Sequence, residues 1–277
     1  MTVGQAVGEA ERRLAAAAVP SPRVDAELLV GKALDSSRTA LYTNSARELS
    51  AAESAVLDRL VARRAAREPL AYILGEWGFR RLTLKVDRRV LVPRPETEVV
   101  VERCLELLRG LEQPAVLDVG TGSGAIALAI ADEHPGARVT AIDVAADALE
   151  VARENARASG IDVDFAEHDV RDGVEGAYDL VVSNPPYVTA EEIETLEPEV
   201  RDWEPRIATV GEEHTAAIAA AATAVLVHGG HLVLEVADGR AGEVSNVLAR
   251  LGYEDIRTGE DLTGRERVLE GRWSSRR

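Results

Sequence analysis

Between residues 115 and 251 the chain alternates short apolar runs with longer amphipathic stretches, and this alternation restricts the fold more than any other feature. Runs at 115–119, 138–143, 163–168, 178–183 and 231–237 are of strand length. Tyr178-Asp179-Leu180-Val181-Val182 shows no polar alternation, the pattern of a parallel strand buried on both faces. Helices are predicted at about 125–133, 146–159, 215–227 and 241–251. Strands and helices in turn imply an α/β class, a mainly parallel doubly wound sheet. Residues 253–258 and 265–273 read as two strands whose connecting loop is short enough for an antiparallel pair.

The first ~70 residues differ. Leucines and valines recur there at three- and four-residue spacings, broken at Pro20-Ser21-Pro22 and Asp35-Ser36-Ser37, which predicts a wholly helical module. Ser50-Ala51-Ala52-Glu53 is a capping box opening a helix towards Arg67, and Pro69 ends it. Arg63, Arg64 and Arg67 read as a solvated face. From Gly75 to Val92 the apolar period changes to two, which predicts a β-hairpin linker. A short rigid loop, Pro93-Arg94-Pro95-Glu96-Thr97-Glu98, then leads into a helix to about Arg109. The expected organisation is a helical domain (1–74), a hairpin linker (75–92) and an α/β domain (93–277).

Several function classes fall away on composition. The longest nearly uncharged apolar run, 215–227, is too short to span a bilayer. The first residues, Met1-Thr2-Val3-Gly4, lack the basic-then-apolar pattern of a secretory signal. A single cysteine, Cys104, permits no internal disulfide and no cysteine metal cluster, so no metal is expected. These features point to the cytoplasm. Net charge is uneven: +3 over residues 1–85 and −19 over the rest. An acidic main domain repels nucleic-acid phosphate and attracts basic partners.

Two motifs carry chemistry. Leu117-Asp118-Val119-Gly120-Thr121-Gly122-Ser123-Gly124 leaves the first strand of the alternating region and enters a helix, where glycines let backbone N–H groups approach a ligand. Asp143 ends the next strand, placed to accept ribose hydroxyls. The spacing also satisfies a dinucleotide pattern, with Ala125 in third place. Asp118 tilts the choice, because a carboxylate there repels a pyrophosphate and suits a cationic ligand. The second motif is Asn184-Pro185-Pro186-Tyr187, directly after the 178–183 strand. Two prolines stop the sheet and hold Asn184 outward at the strand's carboxyl end, the edge where ligands bind in such sheets. A hydride-transfer site has no use for that quartet.

With these residues in place the chain resembles the class I S-adenosylmethionine-dependent methyltransferases of the amino-group type. The helical front module, Leu91-Val92-Pro93-Arg94-Pro95-Glu96-Thr97-Glu98 and the run Arg201-Asp202-Trp203-Glu204-Pro205 narrow this. Together they resemble the peptide chain release factor glutamine N5-methyltransferases over nearly the whole chain. The resemblance implies a helical domain, a hairpin linker and a Rossmann-like domain. It also implies methylation of the glutamine amide in the Gly-Gly-Gln motif of release factors, a step bearing on translation termination.

Carried onto this sequence, it implies that Gly120, Thr121, Gly122, Ser123 and Gly124, with Asp118, hold the methionine end of S-adenosyl-L-methionine. Asp143 takes the ribose, and Asp169 and Val170 flank the adenine, Val170 offering an apolar edge. Asn184, Pro185, Pro186 and Tyr187 hold the glutamine, with Arg94 also on the substrate side; Asn184 touches both ligands. Physically, Asn184 and the Pro185 carbonyl accept the two amide hydrogens, and Tyr187 packs beside the nitrogen and excludes water. The acids from Glu191 to Glu204 are either a solvated loop or a guide for a basic partner surface. Alternative targets are the exocyclic amine of a nucleic-acid base or a ribosomal-protein glutamine, and a non-catalytic binding module is a further class.

Overall fold

Helices fill the first part of the computed structural model, which describes residues 1–211 and 213–274. They are α1 (Val3–Ala16), α2 (Pro22–Leu34), α3 (Arg38–Thr43), α4 (Ala51–Ala65) and α5 (Leu70–Leu74). The capping box at Ser50 forms as its spacing demands: Ser50 accepts from the Glu53 N–H and Glu53 from the Ser50 N–H. Leu14, Leu29, Val30, Leu57 and Val61 meet in one buried core. By contact, Met1–Glu76 forms one compact unit together with Leu196–Trp203, a segment from far along the chain.

Charge pairing holds that segment in this unit. Arg64, only 5% exposed, donates to Asp25 (2.6 Å) and Glu199 (2.7 Å). Arg67 donates to Glu199 and Glu197. Arg64 and Arg67 are therefore not a solvated face: they are the partners of the acidic stretch. Glu192 is likewise paired with Arg240, Asp202 with Arg201, and Glu204 with Arg94. Of the seven acids from Glu191 to Glu204, Glu191 and Glu194 have no ion pair among the described residues.

The second unit begins with a two-stranded sheet, β1 (Glu76–Phe79) and β2 (Leu82–Lys85). The hairpin is shorter than its period-two pattern: β2 ends at Lys85, and Asp87 captures the backbone N–H of Arg89 to turn the chain. Next come α6 (Pro95–Leu107), β3 (Ala115–Val119), α7 (Ala125–Glu133), β4 (Arg138–Asp143) and α8 (Ala146–Ser159). They are followed by β5 (Asp164–Glu167), β6 (Tyr178–Ser183), α9 (His214–Val225), β7 (Leu226–Glu235), α10 (Ala241–Leu251), β8 (Tyr253–Glu260) and β9 (Glu266–Trp273).

The seven strands lie in the order β5-β4-β3-β6-β7-β9-β8, parallel except for β9, which is antiparallel to both β7 and β8. Successive residues explain the unbroken apolar runs. Val116, Leu180, Val182 and Val233 pack on one face with α6 and α7. Leu117, Val181, Leu232 and Leu234 pack on the other with α9 and α10. Cys104 is fully buried in the first of these cores, where burial pushes its thiol pKa up. No helix among the described residues is long and apolar enough to cross a membrane.

Candidate active site

Strand order reverses beside β3: β4 and β5 extend to one side, and β6 and β7 to the other. A crevice opens at such a switch point, beyond the strands' carboxyl ends. A cleft lies there, between the glycine loop after β3, Asp143 at the end of β4 and Asn184 beyond β6.

The glycine loop is folded over β4 by Gly120 and Thr121 N–H donations to the Ile142 carbonyl (2.8 and 3.0 Å). Gly120 and Gly122 have φ of 74° and 56°, and a side chain on either would project into open space. That leaves the loop backbone uncovered on its cleft side, with the Gly122 N–H committed to Asp143. Gly124 (φ 82°) serves packing instead, since a Cβ there would press on Leu128 and Ala152. Asn155, buried on α8, steadies the loop: its Nδ2 donates to the Ser123 and Lys85 carbonyls, and its Oδ1 accepts from the Lys85 N–H.

Asp118 lies behind the loop, fully buried. Its Oδ2 accepts from the Thr121 hydroxyl (2.7 Å), while its Oδ1 has no partner among the described residues. Burial pushes its pKa up to about 7. Asp143 accepts from the Gly122 and Ala145 N–H groups, and burial raises its pKa too. Asp169 and Val170 line the cleft. The Asp169 carboxylate is held by the Arg171 guanidinium, which keeps its pKa at about 2.

Asn184, Pro185 and Pro186 line the opposite wall. Ser183 pins their strand to the glycine-loop strand, donating its hydroxyl to the Val119 carbonyl (2.7 Å). Asn184 Nδ2 donates to Thr97 Oγ1 (3.2 Å), and Thr97 donates to Glu235 Oε2 (2.7 Å). Tyr187 is not in the cleft wall: its hydroxyl points at Glu235 Oε1 (3.5 Å), and burial raises its pKa to about 12. Arg94 lines the cleft with its guanidinium committed to both Glu204 oxygens (2.7 Å each). Burial raises the Glu204 pKa despite that pairing.

Sequence reasoning missed Thr97 and Ser183 in this wall and Glu235 behind it. Glu235 had a visible signal, a carboxylate closing the apolar run Leu232-Val233-Leu234. It also missed Ile207, an exposed apolar side chain that joins the cleft lining from the short helical turn at Arg206–Thr209.

The described residues contain no cluster of metal-ligand type. Among proteins of known assignment, the release factor glutamine methyltransferase of Deinococcus radiodurans is 44% identical, with 95% of this chain and 96% of that protein covered. The chain belongs to the release factor glutamine methyltransferase family. Another member, from Caulobacter vibrioides, is 39% identical over 98% of this chain and 96% of its own length. A PrmC N-terminal domain model matches residues 5–75, and a methyltransferase small domain model matches 98–198. A solved methyltransferase structure from Pyrococcus furiosus aligns over 80% of this chain with a TM-score of 0.53 and 20% identity, a likeness of fold. The family thus spans both units, and its methyltransferase match takes in the glycine loop, Asp143 and Asn184.

Proposed function

We propose that the protein transfers a methyl group from S-adenosyl-L-methionine to the glutamine side-chain nitrogen in the Gly-Gly-Gln motif of peptide chain release factors. The observation that carries this reading is the Asn184 wall: a carboxamide with its nitrogen tied back to Thr97, so that Oδ1 is left to accept in the cleft. The names borne by the relatives support the same substrate.

The site fits S-adenosyl-L-methionine on three counts. Two glycines leave room where side chains would intrude, Asp143 stands at the end of β4, and the buried Asp118 carboxylate backs the loop between them. Gly120 to Ser123, backed by Asp118 and packed through Gly124, would hold its methionine end, Asp143 the ribose, and Asp169 and Val170 the adenine edge. When bound, it supplies an electrophilic methyl group on a sulfonium sulfur.

The chain's own residues act on the glutamine. An amide nitrogen is a poor nucleophile because its lone pair is delocalised, the same resonance that makes peptide rotation cost ~18–20 kcal/mol. As that nitrogen is alkylated the lone pair leaves conjugation and positive charge grows on its N–H groups. Asn184 Oδ1 and the Pro185 carbonyl accept those hydrogens and bind them more strongly as the charge develops. Proline's fixed φ keeps the second acceptor in place without reorganisation. The surplus proton leaves to solvent afterwards. Tyr187 contributes through Glu235 rather than by contact with the nitrogen.

In this reading the helical unit, residues 1–74, positions the release factor, the hairpin region 75–92 links, and residues 93–277 carry the chemistry. A release factor as substrate supports a cytoplasmic location. Mass spectrometry of release factor incubated with the protein and S-adenosyl-L-methionine, with a tRNA or DNA oligonucleotide as competitor, is the test. A single added methyl on the Gly-Gly-Gln peptide is the expected result. Methyl on nucleic acid alone, or on neither, refutes it.

A further inference from the structure

The Asn184 side chain is symmetric in shape, and turned over it would offer N–H groups to the cleft where the proposed reaction needs an acceptor. Its orientation has to come from its neighbours. A hydroxyl has one proton to give. Thr97 gives that proton to Glu235, 2.7 Å away, and so presents only lone pairs to Asn184. Nδ2 must then face Thr97, and Oδ1 the cleft. Glu235 lies at the end of β7 and is 2% exposed, a costly place for a carboxylate with no part in folding a ligand site. The charged and titratable groups acting on it are Glu96 beside Thr97 on α6, Arg267 on β9 and Tyr187.

We infer that Thr97 and Glu235 are positioning residues for methyl transfer, forming a directional hydrogen-bond relay that fixes the Asn184 carboxamide with its oxygen towards the substrate nitrogen. This rests on the function proposed above. Glu235 lies outside the cleft lining, and both residues act through Asn184.

The direction of the relay depends on the Glu235 proton. Ionised, Glu235 can only accept, and the chain runs Asn184 to Thr97 to Glu235. Protonated, it can donate to Thr97 Oγ1, freeing the Thr97 proton for Asn184, which favours the turned-over amide. Burial raises the Glu235 pKa to about 7, so the reversal falls within the neutral range. Activity is thus expected to fall as pH drops through that range. Asp118, also raised to about 7, is a second group titrating there. The variant E235Q separates the two.

The test uses the full-length protein with release factor and S-adenosyl-L-methionine. Thr97→Val removes the relay while keeping the shape, and kcat is expected to fall about 3- to 10-fold, the loss of the one hydrogen bond that orients a half-buried amide. The KM for release factor and the Kd for S-adenosyl-L-methionine should stay within about twofold, and Thr97→Ser should restore kcat to within about threefold of wild type. Glu235→Gln cannot titrate, so whichever amide atom it turns to Thr97, the acidic limb of the kcat profile near pH 7 should be lost. A Thr97→Val protein with more than half the wild-type kcat overturns the proposal, as does an unchanged acidic limb in Glu235→Gln.

A second readout needs no turnover. The Asn184 side-chain NH2 signals, assigned by their absence in Asn184→Asp, should be protected from water exchange in the ligand-free wild type and exposed in Thr97→Val. Unprotected signals in the wild type refute the relay whatever the substrate proves to be. A wild type that leaves the Gly-Gly-Gln glutamine unmethylated refutes the proposed function instead.

Discussion

Asn155 offers the sharpest test of how the glycine loop is held. It is 3% exposed and makes three hydrogen bonds to backbone groups, two to Lys85 on β2 and one to the Ser123 carbonyl in the loop. Asn155→Leu keeps the volume and opens no large cavity, so the effect comes from lost polar pairing. Ser123 is buried, so its carbonyl pays the full cost of an unmet acceptor, about 1–3 kcal/mol. Lys85 is exposed, and water can replace its two bonds at about 0.5–1 kcal/mol each. The expected destabilisation is on the order of 3 kcal/mol. Urea unfolding measured by tryptophan fluorescence in a Trp203→Phe background follows this unit alone, because Trp77 and Trp273 belong to it. The loosened loop should also raise the Kd for S-adenosyl-L-methionine at least about fivefold in calorimetry. A loss below about 1 kcal/mol with unchanged cofactor affinity would refute the claim that Asn155 organises the loop.

Other outcomes follow from the same structure. Asn184→Ala removes the oriented acceptor and should slow methyl transfer ~10²–10³-fold in single-turnover assays, with cofactor affinity largely kept. Arg64→Met leaves the buried Asp25 carboxylate without its cation and should cost the helical unit about 3–5 kcal/mol, read from Trp203 fluorescence during urea unfolding. For Asp118 and Glu235, burial raises the folded-state pKa above the unfolded value, so their contribution to stability is full below about pH 4 and is lost as pH rises through about 7. The ligand-free catalytic unit should therefore show a lower urea midpoint at pH 8 than at pH 6, and Asp118→Asn should flatten that slope. Replacing Glu191 and Glu194 by Gln should change kcat/KM for release factor less than about twofold at low salt, since the neighbouring acids are already paired within the protein.

The sheet was legible because its strands are buried on both faces: 115–119, 138–143 and 178–183 coincide with β3, β4 and β6. The two ligand-facing motifs were legible for a related reason. Glycines and prolines act through their own backbone, so Gly120, Gly122 and Pro185 can be read without knowing their neighbours. β7 shows where that stops. The apolar run 215–227 passes from helix to strand at Leu226 without a change of composition, and only packing sets the boundary.

Side-chain partnership is what the linear chain withholds. Thr97 and Glu235 are 138 positions apart, and Arg64 and Glu199 135 apart, so no local pattern joins them. Asn184 was placed at the cleft by its own strand and prolines, but which of its two amide atoms faces outward is decided by a hydroxyl on one element and a carboxylate on another. The sequence determined which groups stand at the cleft; the fold alone decided which way they point, because a hydrogen bond takes its direction from a partner that arrives only when the chain has closed.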